Sequence, residues 1–239
     1  MKLNKYFSYF LILTIIIAII SASIAVVILF RPFYYLKVKL LDLVQITGYS
    51  FSRIKTAYDE MMNYCLGLTN IFGCGDLKYT IEGMNHFTDC RTLFILDIAL
   101  AILSLSIITV TIILKNKGKI QLTYLKHNFS YYSSIIIMFV FSFITLLAIS
   151  DFDAMFVKFH QLFFPNKDNW IFDPRYDQII NILPQQFFIN CAIVIASIMF
   201  LCCLFFIYKE YKDNYKTKKI KAILFGFIDV KLFSKIPLF

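Results

Sequence analysis

Three histidines occur in this 239-residue chain. Two of them, His86 in "GMNHFTDC" and His160 in "MFVKFHQLFFPN", stand beside a phenylalanine at the border of a long apolar run. Imidazole takes and returns protons near neutral pH, so a pair at corresponding places in separate loops is a candidate for general acid–base work. Either one alone could equally be a hydrogen-bonded structural residue. Asp89 follows His86 by three residues, close enough on a helical turn to orient its ring, and Asn85 precedes it. An acid there would also suit the first turn of a helix. Asp97 lies about two turns deeper, where an acid at membrane depth raises a functional question of its own.

Phe87, Phe159, Phe163, Phe164, Trp170 and Phe172 crowd these polar groups along the chain, and Tyr58 joins them as a candidate for contacting substrate. They fit the aromatic belt that anchors proteins at a bilayer surface. They also fit a dry-walled lipid pocket, which would strengthen hydrogen bonds to a developing charge. Composition leaves both readings open. Neither an HExxH motif nor a pair of CxxC motifs is present, so no metal is expected. No GxSxG elbow marks a serine nucleophile, and no cofactor motif is found.

The surroundings that must position these residues are a membrane protein's. The chain is 59% hydrophobic, with a mean hydropathy of +0.71, far too apolar to hide in one soluble core. Residues 9–30, 93–114, 133–150 and 187–208 are each long and apolar enough to cross a bilayer as a helix. The first exceeds the apolar core of a signal peptide and is expected to be retained.

Charge gives the expected orientation. Of 24 basic residues, two precede the first span, four lie between the second and third, and eight follow the fourth. Only three acids, Glu210, Asp213 and Asp229, share those segments. Both termini (1–8 and 209–239) and the 115–132 loop are therefore expected in the cytoplasm. The 31–92 and 151–186 segments, with both histidines, are expected outside. The net charge of +9 is topological in this reading, and it excludes the need for nucleic acid.

The expected fold is an all-α membrane protein of four transmembrane helices carrying a small mixed α/β extracellular cap. Residues 37–46 and 77–83 read as short strands, and Ile54, Tyr58, Met61, Met62 and Cys65 fall on one face of a helix. Residues 151–186 read as an extracellular loop completing the cap, structured at 165–177, and Pro184 as the entry to the fourth span. Residues 222–233 read as an interfacial amphipathic helix. Cys65 and Cys74 could bridge on the outer side, where Cys90 would be left over.

At "NHFTD" (85–89) and "FHQLFFPNKDNWIFDPRYDQIINILPQQFF" (159–188) the sequence resembles the bacterial lipoprotein intramolecular transacylases, the Lit family. The four spans and the cap fit the same pattern, while Cys90 and Arg91 depart from it. The resemblance implies an enzyme of the bacterial cytoplasmic membrane acting on lipoproteins that carry a diacylglyceryl group on their N-terminal cysteine. It would move the sn-2 acyl chain to the cysteine amino group, giving the lyso-form lipoprotein. The family's two catalytic histidines fall on His86 and His160, with no cofactor or metal implied. The partners would be those lipoproteins and membrane lipid. From the residues alone, an intermolecular acyltransferase, a lipid hydrolase or a non-enzymatic lipoprotein-binding accessory protein stay open. A transporter would need paired charges or broken helices at mid-membrane, which the spans lack.

Overall fold

The computed structural model describes residues 4–122 and 125–233, with side chains described as far as Tyr215. Its four long helices are α1 (Lys5–Leu29), α5 (Ile81–Asn116), α6 (Phe129–Ser150) and α8 (Gln185–Phe233). All four contain windows apolar and long enough to cross a membrane. Helix α1 is the centre of the bundle and packs on the other three. Small residues on it, Ala18, Ser21, Ser23 and Ala25, are buried and let neighbouring backbones come close. The chain is thus an integral membrane protein. The interfacial helix expected at 222–233 lies in the last turns of α8, where the side chains are outside the described residues.

Between α1 and α5 the chain builds a cap from three short helices: α2 (Arg31–Leu40), α3 (Leu43–Thr47) and α4 (Phe51–Cys65). The expected α/β mixture is corrected here, because the described residues contain no strand; in the cap there is an isolated bridge between Cys74 and Asp76. The 37–46 stretch holds the end of α2, a turn at 41–42 and the start of α3. Pro32 opens α2 at its first turn, and the buried pair Tyr34 and Val38 is spaced by four residues, as one helix face requires. The alternation in "KVKL" imitates a strand, but Lys37 and Lys39 sit in the last turn of α2, where the helix dipole favours cations. Asp42, at φ 49°, turns the chain into α3.

The other expected strand, 77–83, is divided. Residues 77–80 lie outside any helix or strand, and α5 begins at Ile81 with Thr80, extended, accepting at its hydroxyl from the Gly83 amide. Helix α5 therefore starts twelve residues before the apolar stretch that begins at residue 93. At 36 residues it measures about 54 Å, against roughly 30 Å of bilayer hydrocarbon. The surplus, with His86, projects into the cap.

The cap core joins α2, α4 and the 177–188 segment. Tyr34 stacks on Tyr58 at 3.6 Å between ring centroids and donates its hydroxyl hydrogen to the Ile182 carbonyl at 2.9 Å. Asp59 accepts from Arg31, Tyr35 and Lys55. Cys65 and Cys74 are both buried and unbridged. Residues 151–186, expected as loop, contain α7 (Phe152–Phe163) and a 3-10 turn, Gln178–Ile182. Asp151 caps α7 by accepting from the Ala154 amide at 2.9 Å.

Candidate active site

Helices α5 and α7 bring the two histidines together. The rings of His86 and His160 lie 5.8 Å apart, tilted by 31°, and both side chains are buried. They are 74 residues apart in sequence, so the meeting depends on how the two helices are tied down.

Three contacts tie them. Asp177, buried, accepts from the Thr80 amide at 2.8 Å and from the Thr80 hydroxyl at 2.9 Å, fixing the first turn of α5. Lys78 and Gln178 exchange two hydrogen bonds beside it, each 3.0 Å long. Further along, Asp89 accepts from Lys167 at 2.6 Å and from Asn169 at 3.1 Å, drawing the segment after α7 onto α5. The expectation that Asp89 orients the His86 ring is thereby corrected. Its two oxygens hold the 165–170 loop, and no hydrogen bond joins it to His86. Burial pushes the Asp89 carboxyl up, but the bonds from Lys167 and Asn169 outweigh it and hold it below its usual value.

The two imidazoles are held differently. The His160 Nδ1 lies 2.8 Å from the Phe156 carbonyl one turn back. A carbonyl can only accept, so Nδ1 carries the hydrogen and Nε2 keeps its lone pair. His86 makes one polar contact, Nε2 to the Cys90 Sγ at 3.5 Å, and its buried Nδ1 has no protein partner. Burial pushes the His86 pKa down to about 4, with the nearby His160 adding to the effect and Asp89 opposing it. Burial also lowers His160, against the pull of the Phe156 carbonyl. Both rings are therefore neutral at pH 7.

Aromatic side chains form the walls. Phe164 is buried between the histidines, 4.9 Å from the His86 ring and 5.7 Å from that of His160. Phe172 approaches His86 edge-on at 5.5 Å and stacks on Phe87, which stacks on Phe72. Trp170 lies 4.7 Å from His160, its indole N–H donating to the Lys167 carbonyl. Phe159 and Phe163 pack on each other at 4.7 Å with about half of each exposed, at the rim. Asn85 is exposed, on a polar groove of about 410 Å³ shared with Thr88, Asp89 and Lys167. Tyr58 is placed elsewhere, in the cap core against Tyr34. Asp97 lies eleven residues beyond His86, about 16 Å along the helix, outside the pocket. Among the described residues no group of three histidine, cysteine or carboxylate side chains could hold a metal ion.

Residues not anticipated include Phe156, which holds and packs on His160 at 4.2 Å, Cys90, and the Thr80–Gly83–Asp177 clamp. Phe156 stands four residues before His160, a spacing that becomes informative once 152–163 is known to be helical. The clamp has no local signal, since its halves are about a hundred residues apart.

Three comparisons bear on this arrangement. The family model described as lipoprotein intramolecular transacylase Lit matches residues 9–188. Among solved structures, the membrane-integral lipoprotein intramolecular transacylase Lit from Bacillus cereus is similar with a TM-score of 0.75 and 23% identity, over 91% of this chain and 100% of its own. A form of that protein with a histidine replaced by alanine matches with a TM-score of 0.72 and 22% identity, over 90% and 95% of the two chains. No curated protein sequence matches the chain.

Proposed function

The chain belongs to the lipoprotein intramolecular transacylase (Lit) family, and from that premise we propose that His86 and His160 carry its reaction. It is an acyltransferase of lipoproteins, moving an acyl chain from the glycerol ester to the N-terminal cysteine amine. The observation that carries the site reading is the pair of buried, neutral rings 5.8 Å apart, walled by aromatics.

The ring states supply the roles. His160, with its hydrogen on Nδ1, presents Nε2 as a base for the attacking amine. As imidazolium it then hands the same proton to the departing glycerol oxygen. One N–C bond forms, one C–O bond breaks, and the amine proton ends on the alcohol, so no water or second substrate is consumed. His86, held neutral, is a poor source of a full proton but a good fixed donor to the tetrahedral oxyanion. Accepting the Cys90 thiol hydrogen at Nε2 would put the ring hydrogen on Nδ1, the atom that lacks a protein partner.

Amine and ester belong to one flexible molecule, so confining them supplies much of the catalysis, up to roughly 7–11 kcal/mol. Phe164, Trp170 and Phe172 are the walls suited to that, with Phe159 and Phe163 at the lipid-facing rim. The substrate would be a diacylglyceryl-modified lipoprotein, its sn-2 chain transferred. The basic residues at the N-terminus, the 115–132 loop and the tail favour a cytoplasmic placement of those segments. The cap and histidine pair would then face the outer leaflet, where such lipoproteins reside.

The test is tandem mass spectrometry of a lipoprotein's N-terminal lipopeptide, in a bacterium that makes only the diacylglyceryl form. Expressing the protein should leave the total mass unchanged while one acyl chain moves from ester to amide, and His160→Ala should abolish the shift. A gain of one acyl mass would show an intermolecular enzyme, and a loss would show a hydrolase. Full activity in both His86→Ala and His160→Ala would overturn the site.

A further inference from the structure

A second groove runs down the face of α5 turned away from the histidines. It has a volume of about 590 Å³ and begins among polar groups of the cap, Tyr64, Asn70 and Arg91. It continues past Thr92 to Ile95, Leu96 and finally Ala99, inside the apolar stretch of α5. Its upper end is therefore polar and cationic, and its lower end lies at hydrocarbon depth.

The cation is fixed in place. Arg91 donates from Nη1 to the Thr69 carbonyl at 2.8 Å and from Nη2 to the Asn70 side chain at 3.0 Å. Its guanidinium carbon sits 4.9 Å from the centre of the Tyr64 ring. Gly67, at φ 73°, lets the 66–70 turn press close: a Cβ there would lie 3.2 Å from Ile95 and 3.7 Å from Arg91. Among the described residues no carboxylate pairs with Arg91. Asp89, two residues away, is taken up by Lys167 and Asn169.

A held guanidinium with neutral partners has positive charge left over and donor capacity directed outward. Thr88 and Thr92 line the groove beside it with their hydroxyl hydrogens given to the Met84 and Thr88 carbonyls, so the guanidinium is the donor the groove offers. The matching ligand carries an anionic, oxygen-rich head at the membrane surface and an acyl chain below it. The lipid part of a diacylglyceryl thioether carries no phosphate, so the acyl substrate does not answer this charge. We propose that the Arg91 groove is a binding site for an anionic phospholipid of the surrounding bilayer. Its phosphate meets Arg91, and one acyl chain lies along Ile95, Leu96 and Ala99. Basic pockets between transmembrane helices bind anionic lipid headgroups on the cytoplasmic side of membranes, and a held guanidinium offers a phosphate the same pairing at the outer surface.

The test uses the full chain, purified in mild detergent, and native mass spectrometry with added phosphatidylglycerol or phosphatidylcholine. Wild type should retain phosphatidylglycerol over phosphatidylcholine. Arg91→Gln should lower that retention about fivefold, the value of one basic residue at a membrane surface. Ala99→Trp fills the lower groove without touching the Arg91 hydrogen bonds, so it should lose the lipid even if Arg91→Gln folds poorly. His160→Ala, in the separate pocket, should retain phosphatidylglycerol as wild type does. Equal retention of the two lipids by wild type would overturn the proposal. So would unchanged phosphatidylglycerol retention in Ala99→Trp, or its loss in His160→Ala, which would place the lipid in the histidine pocket.

Discussion

Gly83→Ala should damage both stability and activity, although on an ordinary helix the same change would help. In an open helix interior, alanine is favoured over glycine by about 1 kcal/mol. Here an added Cβ would lie 2.2 Å from the Asp177 Oδ1 and 2.9 Å from its Cγ. Either the carboxylate or the first turn of α5 must move. The carboxylate is buried and accepts from the Thr80 amide and hydroxyl. Hydrogen bonds to a charged group contribute about 1.5–3 kcal/mol each. Losing two and gaining the alanine preference leaves a net cost of about 2–5 kcal/mol. If α5 yields instead, His86 is only three residues away, and a shift of about 1 Å in a reacting group can cost about a hundredfold in rate. Thermal unfolding of the purified protein, followed through Trp170 fluorescence, would report the first effect. Conversion of a diacylglyceryl lipopeptide would report the second. In an Asp177→Ala background the clash is gone, so Gly83→Ala should become neutral or stabilising by up to about 1 kcal/mol. A Gly83→Ala single variant as stable and active as wild type would refute the clamp.

Acid should weaken the fold. His86 titrates near 6.5 when unfolded and at about 4 when buried, so the unfolded state binds more protons between those values. Its stabilising contribution is complete above pH 6.5 and falls by about 3 kcal/mol as pH drops toward 4, which unfolding measured against pH would show. In the proposed mechanism activity depends on neutral His160, whose pKa is also lowered, so the acid limb of the pH–rate profile should have its midpoint under 6.5. Asp89→Asn should loosen the Lys167 contact, which is partly exposed and worth at most about 1 kcal/mol. Because it makes no hydrogen bond to His86, this change should raise KM more than it lowers kcat and should not move the acid limb upward. At the opposite end of the bundle, Glu210 accepts from His127, Asn128 and Asn214. Glu210→Ala should therefore lower the melting temperature while leaving turnover per folded molecule unchanged.

The four spans were legible because each is an apolar run longer than a bilayer demands, a signal that tertiary context cannot reverse. The histidines were legible for a different reason: they are rare, flanked by aromatics, and set beside those runs. What could not be read was the secondary structure of the cap. Residues 37–46 alternate lysine with aliphatics like a strand, yet Tyr34 and Val38 bury one helical face. The helical continuation of α5 above residue 93 was hidden by polarity, since residues outside the bilayer need no apolar run to stay helical. Helix α7 was hidden for another reason, being a mere twelve residues long and set one residue after the end of α6, and with it went the carbonyl that fixes the His160 tautomer.

Asp89 shows why proximity in sequence misleads at such a site. One helical turn from His86, it is well placed to orient the imidazole, but a hydrogen-bonded carboxylate would also favour the imidazolium and raise its pKa. The role proposed for His86, a neutral donor in a dry pocket, is better served if that carboxylate is neutralised elsewhere. Lys167 does so while fastening the loop that carries Trp170 against His160. The same ion pair thus keeps a charge away from one histidine and brings a wall to the other. The two rings are set by neutral neighbours, a carbonyl for His160 and a thiol for His86. The carbonyl pulls the His160 pKa up, but burial outweighs it, so such partners fix tautomers while leaving the rings uncharged, as the proposed proton transfer requires.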